Sequence, residues 1–202
     1  TVEARFVVDA SGQNGLLAHK FGSRQWDPFF RNLSVYGYFS GAGRLPPPND
    51  TNIFIESYPH GWLWCIPLHT GWSSVGAVVD STIGQEGINR DGLQGFLSDQ
   101  IRQAPYTAEM LQHAEMASGP FIVKDWSYTS AKFAGDGYIL VGDAACFVDP
   151  LFSSGVHLAL MAGVLAAAHV TTALKDPDLG EASGRVYQEL YIKEYSHFRD
   201  MA

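Results

Sequence analysis

The residues best suited to chemistry lie in one segment, GYILVGDAACFVDPLFSSGVHLALMAG, residues 137–163. A short apolar run, Tyr138 to Val141, stops at Gly142-Asp143. That puts a carboxylate at the carboxyl end of a strand, where α/β proteins bind ligands. An ionised Asp only accepts hydrogen bonds, so Asp143 suits a polyol hydroxyl such as that of ribose or ribitol. Pro150 fixes the chain, and Ser153-Ser154-Gly155 opens a helix in which either serine fits the N-cap. The free amides at such a helix start, backed by the dipole, favour an anion or a partial negative charge. The same residues also fit an ordinary strand–loop–helix that Asp and Ser merely cap, and this physics alone leaves both readings open.

A second segment, GWLWCIPLHTG, residues 61–71, sets two tryptophans two apart. In a strand, residues two apart share a face. Trp62, Trp64, Ile66 and Leu68 would then form one bulky apolar row, which reads either as core or as the wall of a channel. Asp125, in VKDWSY, is an acidic residue inside an apolar extended run. It fits a solvent-facing position of an alternating strand, or a carboxylate that approaches a ligand. Seven histidines show no metal-ligand spacing; His157 and His169 are too far apart to share an ion. No Ser-His-Asp arrangement is present, and no metal site is expected. Cys65 and Cys146 sit in apolar contexts and read as buried free thiols.

The elements that must hold these residues can be read from the periodicity. ARFVVDASG is a short apolar run into a turn and reads as a buried strand. Residues 34–40 alternate as a strand, and GAGRLPPPND is a loop. NIFIESY, WLWCIPL and WSSVGAVVD, joined by short turns, read as an antiparallel meander. A helical period runs from about Arg90 to Glu115. GPFIVKDWSYTSAKF returns to extended structure. A buried helix is expected from about Ser154 to Leu174. A last helix, about Glu181 to Asp200, places Val186, Leu190, Tyr191 and Tyr195 near one face. The expected fold class is α/β with α+β character, an antiparallel sheet inserted into an α/β layer. The expected division is residues 1–30 with 118–175 as the α/β part, 31–117 as the sheet with its helices, and 176–202 as a C-terminal helix.

Composition narrows the partners. The net charge of −8 and the absence of any Lys/Arg run argue against nucleic acid. Apolar residues make up 46% and charged residues 17%, the balance of a globular core. No unbroken apolar stretch reaches the roughly 18 residues of a membrane span. The start shows no signal-peptide pattern, and a reducing cytoplasm is the expected compartment.

GDAACFVDPLFSSGVHLAL resembles the second FAD-binding segment of flavoprotein monooxygenases of the hydroxylase fold, and is particularly similar to that of the flavin-dependent halogenases. VVDASGQNGLLA resembles the shorter Asp-Gly segment through Asp9, Ala10 and Gly12. WLWCIP is similar to the halogenase hallmark Trp-x-Trp-x-Ile-Pro at Trp62, Trp64, Ile66 and Pro67. The three motifs stand in family order. The resemblance implies FAD, used as FADH2, and a halide ion as cofactors. It assigns Asp9, Gly12, Gly142, Asp143, Pro150, Ser154, Gly155 and Val156 to the flavin, and with a flavin present the ligand-facing reading of Asp125 is an approach to the isoalloxazine edge. Ser154 and Gly155 would offer amides to the halide. Ser153, Trp62 and Trp64 fall to the catalytic centre, where the tryptophan row is thought to disfavour direct monooxygenation.

The implied reaction is chlorination or bromination of an electron-rich aromatic ring with O2 and halide. The implied partners are a flavin reductase that supplies FADH2 and an aromatic small molecule or a carrier-tethered substrate. Tryptophan halogenases usually have Glu-Ser-Thr-Gly where this chain has Phe152-Ser153-Ser154-Gly155, a form similar to the phenol and pyrrole halogenases. The family's first Gly-x-Gly-x-x-Gly unit is not matched. Its catalytic lysine has no counterpart among Lys20, Lys124, Lys132, Lys175 and Lys193. The chain is therefore expected to correspond to the middle and later part of such an enzyme, and to bind FAD weakly by itself. An aromatic monooxygenase or reductase of the same fold, and a non-catalytic fragment, are the alternatives.

Overall fold

A computed structural model describes residues 3–21 and 24–202. The chain forms two compact units, one from the segments up to Phe30 and from Trp126 onward, the other from Arg31 to Asp125. The first unit opens with β1 (Val7–Asp9), a 3-10 turn, α1 (Leu16–Lys20) and β2 (Arg24–Trp26). The second comprises β3 (Asn32–Ser40), β4 (Phe54–Tyr58), β5 (Gly61–Pro67), β6 (Ser73–Asp80), α2 (Ser81–Gln103), α3 (Pro105–Met110) and β7 (Glu115–Lys124). The first then resumes with β8 (Tyr128–Ser130), β9 (Ala134–Gly135), β10 (Tyr138–Leu140), β11 (Cys146–Phe147), α4 (Gly155–Lys175) and α5 (Gly180–Met201).

The second unit is an antiparallel sheet in the order β4-β5-β6-β3-β7. β3 and β5 alternate over most of their length as their sequences demand, while β6 is buried from Val75 to Val79. Leu33, Val35, Leu63, Cys65, Val75, Ala77 and Val79 are buried with Phe96 and Leu97 of α2. Burying each Leu or Phe contributes about 1.5–3 kcal/mol. A one-residue slip of any strand would turn this row outward, so the register is strongly specified. The helix expected from about Arg90 begins nine residues earlier, at Ser81. Asp80 accepts a hydrogen bond from the Thr82 amide at 2.8 Å and caps it. The first turns are polar and glycine-rich, which hides their period in the sequence. A non-helical Gly92 breaks the helix near the expected start. The boundary expected at residue 118 falls inside β7. That strand pairs with β3 from Ser40↔Glu115 to Leu33↔Lys124, so the second unit runs to Asp125.

In the first unit β1 runs parallel to β10, with Val7 opposite Tyr138 and Asp9 opposite Leu140. β11, β8 and β2 form a separate antiparallel sheet. Ile139, Leu140, Cys146, Leu158, Ala162 and Ala166 make the core with Tyr187, Tyr191 and Tyr195. Those tyrosines, four apart, are one stripe of α5, and Tyr187 Oη donates to the Leu140 carbonyl at 2.7 Å. The C-terminal helix is thus part of this unit and not a separate element. Its core face is the tyrosine stripe; Val186 and Leu190, expected on that face, are exposed. β1 forms as expected, but Val7 and Val8 are about half exposed rather than buried. α4 buries only Leu158, Ala162, Ala166 and His169. Val156, Leu160 and Val164 on its outer side are 72%, 70% and 74% exposed, which corrects the reading of a buried helix. Its 21 residues, with a mean hydropathy of 1.6 over the most apolar window, are long and apolar enough to cross a membrane.

Candidate functional site

Of the two parallel strands, β1 ends on Asp9 and β10 leads into the turn that holds Asp143, and these two carboxylates behave differently. Asp9 is buried. Its Oδ1 accepts from the Ser11 amide at 3.0 Å and the Ser11 hydroxyl at 2.6 Å, and its Oδ2 from the Leu17 amide at 2.7 Å. Burial pushes its carboxyl up, but the Ser11 and Leu17 hydrogen bonds and the charge of Arg24 outweigh that and hold it below the ordinary range. Asp9 therefore spends both oxygens on building the turn that carries Gly12, a residue with φ 63° and open space where a Cβ would be.

Asp143 is the opposite case. It follows Gly142, which has φ 56° and lies against Ala159 of α4. The Asp143 carbonyl accepts from Tyr128 Oη at 2.6 Å. Among the described residues no donor reaches its carboxylate, and burial pushes that carboxyl up. A half-buried acceptor with no internal partner is available to a ligand hydroxyl.

The loop after β11 is tightly held. Ser127 Oγ donates to the Val148 carbonyl. The Asp149 carboxylate accepts from the Leu151 amide at 3.0 Å, and the Pro150 carbonyl from the Ser153 amide at 2.9 Å. Ser153 takes a left-handed φ of 51°, which costs a non-glycine residue on the order of 1 kcal/mol or more. Ser154 is the N-cap of α4, as one of the two expected positions, and is buried. Its side chain does not cap, however, and Ser154 Oγ is buried without a hydrogen-bond partner. The first-turn amides of α4, those of Gly155 and Val156 among them, have no intrahelical acceptor. The helix start is therefore uncapped, and an orphaned hydroxyl sits on it.

One residue with an unused polar group was not anticipated. Arg24 of β2 lies with its guanidinium carbon 3.9 Å from the Tyr128 ring centroid and gives Nη1 to the Gln13 carbonyl at 2.8 Å. Its Nε and Nη2 are buried without partners. Pairing of β2 with β8 sets Arg24 opposite Ser130, two residues from Tyr128 along β8. No local pattern in the sequence announces that pairing. His169 is buried with Nδ1 against Ser183 Oγ at 2.9 Å. A cavity of about 880 Å3 at the other end of β10, lined in part by Arg5, Gly137, His169 and Gly184, contains none of the expected site residues. Cys146 is a free buried thiol, as is Cys65 in the second unit. No group of three metal-binding side chains occurs among the described residues.

In the second unit Trp62 and Trp64 are half-buried on the face of β5 opposite the core; the core residues of β5 are Leu63 and Cys65. The tryptophan row is thus not the core of its sheet. It joins a wider aromatic face. Ring centroids are 5.9 Å apart for Trp62–Trp64, 6.1 Å for Trp64–Tyr36 and 5.4 Å for Tyr36–Phe121. Leu68, expected at the end of the row, lies past the strand in a turn, where its amide donates to the Trp72 carbonyl at 2.8 Å. Asp125 also lies past the end of its strand. It is exposed, has φ 56°, and its amide donates to the Asn32 carbonyl at 3.4 Å.

Comparison with known proteins places these features. The tryptophan halogenase family description matches residues 1–202, the whole chain. A flavin-dependent halogenase of Penicillium aethiopicum is 36% identical over 87% of this chain and 34% of its own length. A tryptophan 2-halogenase of Chondromyces crocatus is 34% identical over 95% of this chain and 37% of its own. Among solved structures, the myxobacterial chondrochloren halogenase superposes with a TM-score of 0.91 at 39% identity, over 98% of this chain and 46% of that one. The fold and motifs define the class of flavin-dependent halogenases, built on the FAD-dependent hydroxylase-like fold. The chain belongs to the tryptophan halogenase family. It spans about a third of the length of the curated relatives it matches.

Proposed function

We propose that this chain is a segment of an FADH2-dependent halogenase that chlorinates or brominates an electron-rich aromatic substrate with O2 and a halide. The observation that carries the reading is the pair of unsatisfied polar features in the first unit, the partnerless Asp143 carboxylate and the uncapped start of α4 with its orphaned Ser154 hydroxyl. Both fit a flavin and an anion. Asp143 would accept from a ribityl hydroxyl, while the amides of Gly155 and Val156 face the negative end of a ligand or a halide. Gly12 and Pro150 would shape the backbone around the ring system. Bound FADH2 would supply the electrons that turn O2 into an oxidant of halide; the chain's own residues bind, orient and exclude water.

The Phe152-Ser153-Ser154-Gly155 form favours a phenol or pyrrole ring, free or tethered to a carrier protein. A separate flavin reductase would deliver FADH2. The cytoplasm, where both buried thiols stay reduced, is the proposed compartment. The test uses a halogenase chain that contains this segment, with reductase, O2, bromide or chloride, and phenol or pyrrole acceptors. Halide-dependent product from the parent, lost in Asp143→Asn, supports the reading. A hydroxylated product made equally well without halide would assign the chain to the aromatic hydroxylases instead.

A further inference from the structure

Trp64 lies on a sheet face that packing does not require, yet its position is closely defined. The register sets Gly76 of β6 directly opposite Trp64 on one side and directly opposite Tyr36 on the other. Gly76 has an ordinary strand conformation, since it is not among the positive-φ glycines. It is there for space. A Cβ at Gly76 would stand 2.6 Å from Tyr36 Cβ and collide with the benzo ring of Trp64. The benzo side of the indole therefore lies over β6, in the space of the missing side chain, and meets Tyr36 on β3 at 6.1 Å. Its one polar atom is also fixed. Trp64 Nε1 donates to Ser74 Oγ at 3.1 Å. Ser74 is two residues along β6 from Gly76, on the same face, the diagonal neighbour a long side chain can reach. An aromatic ring that only covered a glycine would not need this bond, because an indole N–H on a half-exposed face can be satisfied by water.

We propose that Gly76 and Ser74 are positioning residues that hold the Trp64 indole over β6, and that this pose is what lets Trp64 control the fate of the oxidant. The second half rests on the halogenase reading above; the first does not. Held over Gly76, the indole joins Trp62, Tyr36 and Phe121 in one continuous wall spanning β5, β6, β3 and β7. Lifted away, it would leave a polar strip of backbone open to water in the middle of that wall.

The experiment reads the pose first. Near-UV circular dichroism and emission of Trp64, each taken as the difference from Trp64→Phe, are compared in the chain itself for Ser74→Ala, Ser74→Thr and Gly76→Ala. Ser74→Ala is expected to keep the melting temperature within a few degrees, to lose the indole fine structure and to shift emission to the red. Ser74→Thr keeps the hydroxyl and is expected to restore both signals. Gly76→Ala is expected to change the signal at least as much; should it fail to fold, the serine pair decides alone. An unchanged Trp64 signal in Ser74→Ala, or equal changes in the Ala and Thr variants, overturns the positioning role. In a halogenase chain containing the segment, Ser74→Ala is expected to raise several-fold the share of turnover ending in hydrogen peroxide or hydroxylated product, with Ser74→Thr at the parent level. An altered pose with unaltered partition overturns the oxidant-control half. A parent that makes no halide-dependent product overturns the halogenase reading, and the spectra still decide the pose.

Discussion

At the scale of the residue, the contrast between Asp9 and Asp143 decides what each can do. Three donors hold Asp9 ionised, and it is structural. Asp143 is pushed the other way by burial with no donor to compensate. A carboxyl whose folded pKa is raised costs the folded state stability as pH rises from the unfolded value through the higher folded one. Stability is therefore expected to fall as pH rises from about 4. Asp143→Asn removes the charge and keeps the shape. It is expected to raise the melting temperature at pH 7 and to flatten that pH dependence, while weakening flavin binding in a longer halogenase chain. A lower melting temperature at pH 7 would mean that the carboxylate has a stabilising partner. The two sides of β5 give a second test. Leu63→Ala empties a fully buried site and should cost about 2–5 kcal/mol in denaturant unfolding. Trp62→Phe, on the half-buried side, should cost less than about 1.5 kcal/mol. Equal losses would make the tryptophan row a second core.

At the scale of the element, α5 is tied down at both ends of its tyrosine stripe. Near its C-terminus Arg199 Nε bonds Asp27 Oδ2 at 2.6 Å and Nη2 bonds Oδ1 at 3.3 Å. The Phe29 and Phe30 amides complete the Asp27 carboxylate at 2.8 and 3.1 Å. Burial raises the Asp27 carboxyl, but the Arg199 bond and these amides outweigh it and hold the group below its ordinary value. The stability it supplies is fully present above the unfolded carboxylate value of about 4 and is lost as pH falls through the lower folded one. Arg199→Ala should therefore cost about 1–3 kcal/mol at pH 7, and the difference from the parent should shrink below pH 4. A difference independent of pH in that range would assign the loss to packing of the arginine stem on Phe30.

At the scale of the whole molecule, the two units each bring one part of the proposed chemistry. The first holds the free carboxylate and the uncapped helix; the second holds the aromatic wall. The donors identified in the first unit answer a ribityl chain and an anion, and no glycine-rich strand–turn–helix for a pyrophosphate is among them. FAD titrated into this chain and followed by calorimetry is therefore expected to bind more weakly than about 1 μM, about −8 kcal/mol. Tighter binding would show that the Asp143 loop and α4 suffice. The outer side of α4 exposes Val156, Leu160 and Val164.

What the sequence determined by itself was local. Period-two alternation set which residues of β3 and β5 share a face. The apolar run into Gly142-Asp143 put a carboxylate after a strand, and Ser-Ser-Gly marked the start of α4 within a residue. Each of these depends on neighbours a few positions apart. The tertiary structure alone decided the rest, because strand pairing and helix rotation bring together residues far apart in the chain. It put Gly76 between Trp64 and Tyr36, laid Arg24 on Tyr128, and turned the tyrosines of α5 inward in place of Val186 and Leu190. It also committed Asp9 to its own turn and left Asp143 free. Two aspartates that look alike in sequence part ways because only one has donors folded onto it.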